Sequence, residues 1–245
     1  MNMMANDKLE WCGFHWESGQ RWGDAHPKDI CHYDPGEVSL SPDGTLRLGI
    51  ALKPRTIEGR TYHWGVGLVR SEESIKYGEL WVHFRLPLGA GLWPAIWMYD
   101  IDQWPPEIDM LEAWSGRQQF PLRRGPNYRR NLLLDRIFPG VVMRDQRLSR
   151  SGGVRLGGHG VWPSVIDKCG INTVAMYWSP TKLQIRYNGR QVMLVDDEPT
   201  LAELNASRGM QIILNNHVCN EFTYDDYVAL QRNDFTIYGL QYTPL

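Results

Sequence analysis

Glu107, Asp109 and Glu112 fall within the six residues Glu107-Ile108-Asp109-Met110-Leu111-Glu112. Read as a strand, the segment puts Glu107 and Asp109 on one face by its period of two. Strict alternation sends Glu112 to the other face. One extra residue, a β-bulge near Met110-Leu111, returns Glu112 to the side of the other two. Three carboxyls crowded together cannot all ionise freely, so at least one pKa is expected to rise, as acid/base catalysis near neutral pH requires. Two carboxyls about 5–5.5 Å apart are the geometry of retaining glycoside hydrolysis. Carboxylate clusters also hold calcium or magnesium, and an acidic strand can simply face solvent. From the strand alone these three readings stand side by side.

The elements that position such a strand are short and alternate at period two. Glu79 to Leu86 puts Leu80, Val82, Phe84 and Leu86 on one face and Glu79, Trp81, His83 and Arg85 on the other. Asn188-Gly189, which tolerates positive φ at both positions, predicts a tight hairpin between Lys182–Tyr187 and Arg190–Val195. Ser41-Pro42-Asp43-Gly44 reads as a turn into a strand from Thr45 to Leu52. Further strands are predicted at Met210–Leu214, Phe235–Tyr242 and Asn131–Ile137, with a single helix around Leu201–Asn205. Many short strands between turn clusters indicate an all-β sandwich or barrel.

The chain has 245 residues, 42% hydrophobic, with formal net charge −2. A chain of this length and class buries a core without staples and is expected to form one domain, residues 1–245. The apolar content excludes disorder, and no run of 18 apolar residues offers a membrane span. Eleven tryptophans and eleven tyrosines suit a cleft that stacks on flat ligands such as sugars, although some must be core. Residues 115–160 carry ten arginines, no lysine, and only Asp135 and Asp145 as acids. That run either recognises carboxylate, sulfate or phosphate, or is a solvated insertion paired with acids elsewhere. Near-zero net charge and the acidic strand argue against nucleic acid. Cys12, Cys31, Cys169 and Cys219 form no Cys-x-x-Cys pair, which leaves three disulfide pairings or four buried thiols. Residues 1–8 lack the apolar stretch of a secretory signal.

Glu-Ile-Asp-Met-Leu-Glu, preceded by Gly91-Leu92-Trp93-Pro94-Ala95-Ile96-Trp97-Met98, resembles the active-site strand of glycoside hydrolase family 16 in its bulged Glu-x-Asp-x-x-Glu subgroup. Gly65 to Ser71, Tyr77-Gly78-Glu79, Arg85-Leu86-Pro87, Asn172 to Pro180, the Asn188-Gly189 hairpin and Ile212 to Asn215 extend the resemblance. Residues 115–170 match poorly. The family includes laminarinases, agarases, porphyranases and carrageenases. The resemblance implies a concanavalin-like β-jelly-roll of two curved antiparallel sheets with an open cleft. It implies Glu107 as nucleophile, Glu112 as acid/base and Asp109 as the residue that tunes the nucleophile. Trp93 and Trp97, four apart on one strand face, and Trp114 are candidates to stack on sugar rings; Trp81 and Arg85 are further substrate-binding candidates. The expected activity is retaining endo-hydrolysis of a β-linked polysaccharide, a β-glucan or an agar- or carrageenan-type galactan, neutral or anionic. Transglycosylation and non-catalytic carbohydrate binding are the alternatives.

The chain departs from the family at Asn172, Val174 and Tyr177, where His, Tyr and Glu are usual. Ile237-Tyr238 replaces an Asp-Tyr pair whose acid often helps hold calcium, so no metal and no cofactor are expected. The expected partner is the polysaccharide alone, with no nucleic acid and no membrane, and the protein is expected to be a monomer. A polymer substrate implies an extracellular protein. A trimmed leader, or release on lysis or with a virion, reconciles that with the N-terminus, retention in the cytosol being the other possibility.

Overall fold

The structure, a computed structural model, describes residues 8–20, 23–26, 28–115, 134–144, 153–156 and 165–245. The strands are β1 (Lys8–Trp11), β2 (Phe14–Ser18), β3 (Cys31–Tyr33), β4 (Val38–Leu40), β5 (Leu46–Leu48), β6 (Ile50–Ile57), β7 (Arg60–Val66), β8 (Leu68–Ile75) and β9 (Gly78–Arg85). They continue as β10 (Leu92–Tyr99), β11 (Glu107–Ser115), β12 (Leu134–Arg144), β13 (Gly153–Leu156), β14 (Asn172–Ser179), β15 (Lys182–Tyr187) and β16 (Arg190–Val195). Helix α1 (Glu198–Ala206), β17 (Met210–Val218), helix α2 (Tyr224–Val228) and β18 (Phe235–Pro244) complete the order.

Alternation builds the sandwich. Leu80, Val82 and Phe84 of β9 are fully buried, as are Ile96 and Met98 of β10, Ile108 of β11 and Ile212 and Leu214 of β17. These inner faces meet in one core between an eight-stranded sheet, β1-β2-β8-β17-β10-β11-β12-β13, and a seven-stranded sheet, β16-β15-β14-β9-β18-β5-β4. Both sheets are antiparallel throughout, giving the jelly-roll sandwich the sequence predicts. A three-stranded sheet, β3-β7-β6, lies over part of the outer face of the eight-stranded one. Trp64, Val66, Cys31 and Tyr33 pack there against Leu68, Tyr99 and Ile213 in a second core.

The predicted hairpin forms, with Asn188 and Gly189 at φ 49° and 80°. The predicted strand Thr45–Leu52 is instead two strands in two sheets. The chain changes sheet at Gly49, whose N–H donates to Glu37 O and whose carbonyl accepts from Gly67 N–H. A Cβ on Gly67 would stand 2.5 Å from Glu37 O, so only glycine lets the backbones pass this closely. The predicted helix is α1, capped by Asp197, whose carboxylate accepts from Thr200 N–H at 3.0 Å. A second helix, α2, is absent from the sequence reading; Thr223 and Asp226 close a capping box at its start. The strand predicted at Asn131–Ile137 corresponds to β12, and residues 131–133 lie outside the described residues.

Candidate active site

The bulge exists where the carboxylate spacing requires it. On β10, Ile96 pairs with Leu111 and the next residue, Trp97, pairs with Asp109, so Met110 has no partner. On β12, two steps from Phe138 to Gly140 span the three from Glu112 to Asp109. Met110 and Leu111, though adjacent, are both buried in the core between the sheets. Glu107, Asp109 and Glu112 therefore all line one cleft of about 910 Å³ on the outer face of the eight-stranded sheet.

Each carboxylate has neighbours that fix it. Trp104 Nε1 donates to Glu107 Oε2 at 2.8 Å, and the Trp104 ring is 49% exposed. Trp93 Nε1 donates to Glu112 Oε1 at 3.0 Å. An indole N–H only donates, so Oε1 accepts from Trp93. Asp109 and Glu112 are buried, at 3% and 8% exposure, while Glu107 is half-buried. Trp97 Nε1 donates to Asn215 Oδ1 at 2.7 Å, and its ring stacks on Tyr99 at 5.5 Å. The cleft is thus lined by Trp93, Trp97 and Trp104 together with the carboxylates, and by Leu68 and Tyr33.

One end of the cleft holds a charged pair. His217 faces Trp93 across β17 and β10, ring to ring at 5.2 Å. Its Nδ1 donates to Val218 O at 2.9 Å, and its Nε2 lies 3.2 Å from Asp29 Oδ2 and 3.0 Å from Cys31 Sγ. Burial opposes a charge on His217, but Cys31 and Asp29 beside Nε2 outweigh it and hold its pKa well above the ordinary imidazole value. Burial likewise pushes Asp29 up, and the hydrogen bond and charge of His217 bring it below the usual carboxylate range. The Asp29 contribution to stability is present above the unfolded pKa, about 3.9, and is lost as pH falls through its lowered folded value. The His217 contribution is full below its unfolded pKa, about 6.5, and is lost as pH rises through its raised folded value. Asp29→Asn is therefore expected to lower the thermal midpoint most between about pH 4 and 6.5. The gap to wild type should narrow on either side; a gap independent of pH would count against the pair.

No protein-family model matches the chain. A β-glucanase of Rhodothermus marinus is 32% identical over 102 residues, 38% of this chain and 35% of that protein. The alignment spans about a third of the length of that curated relative. Among solved structures, the catalytic domain LamAcat from Zobellia galactanivorans has a TM-score of 0.69 at 18% identity, over 93% of this chain and 90% of that one. SCLam, described as a non-specific endo-β-1,3(4)-glucanase from family GH16, has a TM-score of 0.67 at 18% identity, over 93% of this chain and 83% of that one. The fold is that of glycoside hydrolase family 16.

In this family 16 fold, two residues expected to bind substrate lie elsewhere. Trp81 and Arg85 are on β9 of the seven-stranded sheet, on the face turned away from the core. Trp81 Nε1 points to its neighbour Glu79 at 3.5 Å, and the Arg85 guanidinium lies over Tyr238. Period two gives a side chain its face but not its sheet, and the cleft is on the other sheet. Trp114 is placed on β11 opposite Arg136, its side chain being outside the described residues. Most of the arginine run lies outside them as well. Four buried thiols are not found: all four cysteines are free, Cys31 and Cys219 buried, Cys12 and Cys169 exposed. Burial pushes the Cys219 thiol up to about 12. Among the described residues no group of three His, Cys, Asp or Glu side chains is arranged to hold a metal ion.

Sequence reasoning missed Asp29, Trp104, Tyr33 and His217. His217 carried a signal, two residues after Asn215 on the same strand face. Asp29 and Trp104 sit outside the regular strands, where no periodicity points to them.

Proposed function

We propose that the chain is a family 16 glycoside hydrolase that cleaves a β-linked polysaccharide internally, with retention, and that β-glucan is the first substrate class to test. The observation that carries this reading is the bulge, which gathers Glu107, Asp109 and Glu112 on one face of a tryptophan-walled cleft. The neighbours support the glucan: one is named a β-glucanase and another an endo-β-1,3(4)-glucanase.

In the first step the Glu107 carboxylate attacks the anomeric carbon while the bond to the leaving oxygen breaks, and Glu112 gives that oxygen its proton. Water then attacks the same carbon, Glu112 takes back a proton, and Glu107 leaves. Two inversions give net retention. Trp104 orients the first carboxylate through its indole N–H, and Trp93 orients the second in the same way. A polymer substrate too large to enter a cell supports an extracellular protein, acting as a monomer.

A second reading concerns charge. Arg136, one of the ten arginines of residues 115–160, stands on β12 opposite Trp114 of the catalytic strand. An anionic glycan, sulfated or uronate-bearing, would meet it there.

The test is reducing-end release from laminarin, mixed-linkage glucan, agarose and carrageenan, with the first-formed anomer followed by NMR. A β-anomer from a glucan is expected. An α-anomer first, or no release from any polymer, overturns the reading. A KM that rises steeply with salt on a sulfated glycan would favour the anionic substrate, and equal action on neutral glucan at every salt level would exclude it.

A further inference from the structure

The bulge that makes the site interrupts the register of β11 with both its neighbours. Met110 has no register partner on β10. On β12 the residue facing the bulge, between Phe138 and Gly140, is Pro139, which has no N–H to donate. A buried carbonyl at an interrupted step of the ladder is the place where a donor from outside the sheet is useful. Tyr187 supplies it. Its hydroxyl donates to Met110 O at 2.8 Å from the last residue of β15, in the opposite sheet. Tyr187 is fully buried, so its ring crosses the core to reach the back of the catalytic strand.

We propose that Tyr187 is a positioning residue for Glu112: its hydroxyl pins the bulge at Met110, and the pinned bulge sets where the acid/base carboxyl stands in the cleft. The inference rests on the hydrolase reading above. Glu112 is two residues from the pinned carbonyl, whereas Glu107 is three residues before it and Asp109 precedes the irregular step. Loss of the hydroxyl should therefore disturb proton transfer more than nucleophilic attack.

The two steps are separable by leaving group. A polysaccharide leaves as a poorly acidic alcohol and needs the Glu112 proton; a 2,4-dinitrophenyl glycoside of the released oligosaccharide does not. Tyr187→Phe removes one oxygen from a buried ring and should keep the fold. It is expected to lower kcat/KM on the polysaccharide by about 10- to 100-fold, the scale of a roughly 1 Å misplacement. On the dinitrophenyl substrate kcat/KM should stay within about twofold, because glycosylation there makes little demand on the acid. Azide, a nucleophile that needs no base, should restore turnover of the aryl substrate and yield the glycosyl azide. Ile185→Val, a core truncation on the same strand face that removes no hydrogen-bonding atom, is the control for loss of packing alone.

Equal losses on both substrates, in the pattern of Ile185→Val, would reduce Tyr187 to a packing role and overturn the proposal. An unaffected Tyr187→Phe beside an active wild type would also overturn it. A wild type inert on both substrates would instead overturn the hydrolase reading, and this inference with it.

Discussion

Glu107→Gln is expected to lower turnover of both polysaccharide and activated aryl glycoside by on the order of 10⁴–10⁶-fold, the scale at which loss of a nucleophile is felt in other hydrolases. At about 1.4 kcal/mol per decade this is roughly 5.5–8 kcal/mol of transition-state stabilisation. The amide keeps the shape and can keep the Trp104 neighbour, but it lacks the charge to form a bond to the anomeric carbon. Glu107 is half-buried and faces the cleft, and the amide keeps its shape, so the fold should be retained. Binding should survive, so the variant should still be retained on immobilised glucan. Initial rates on both substrates, beside the thermal midpoint, check this. A loss confined to the polysaccharide would move the nucleophile's role elsewhere.

Glu112→Gln should be strongly damaging on the polysaccharide and far milder on the aryl glycoside. General acid/base groups contribute about 10²–10⁴-fold. The amide cannot give a proton to the leaving oxygen. Trp93 still finds an acceptor only if the amide oxygen takes the place of Oε1. The first step with dinitrophenol as leaving group should proceed, and the second, which needs a base for water, should stall. A burst of dinitrophenol followed by a slow steady state, relieved by azide, is the expected trace. The contrast with Glu107→Gln assigns the two roles from one pair of substrates. If both variants lost both substrates equally, the division of labour between Glu107 and Glu112 would be wrong.

Much of the site was legible because it is local. Three carboxylates within six residues, with one residue too many for strict alternation, demand a bulge wherever they share a face, and the bulge sits at Met110. The Asn188-Gly189 hairpin and the buried face of β9 follow from the same short-range rules. The fold class was legible for that reason, since a chain of alternating segments and turns has few ways to bury its apolar faces.

The rest depended on which strand lies beside which. Trp81 and Arg85 share the alternation of Trp93 and Trp97, yet β9 belongs to the other sheet, not the one that carries the carboxylates. Asp29 meets His217 across 188 positions of chain, and Tyr187 meets Met110 across 77. The sequence by itself determined the carboxylates, their bulge and the faces of the strands, because each is fixed by neighbours within a few residues. Only the tertiary structure decided which faces line the cleft, which indoles hold the carboxylates, and that a tyrosine from the far sheet holds the bulge. Those contacts depend on how strands distant in sequence are paired and packed, and no local period encodes that.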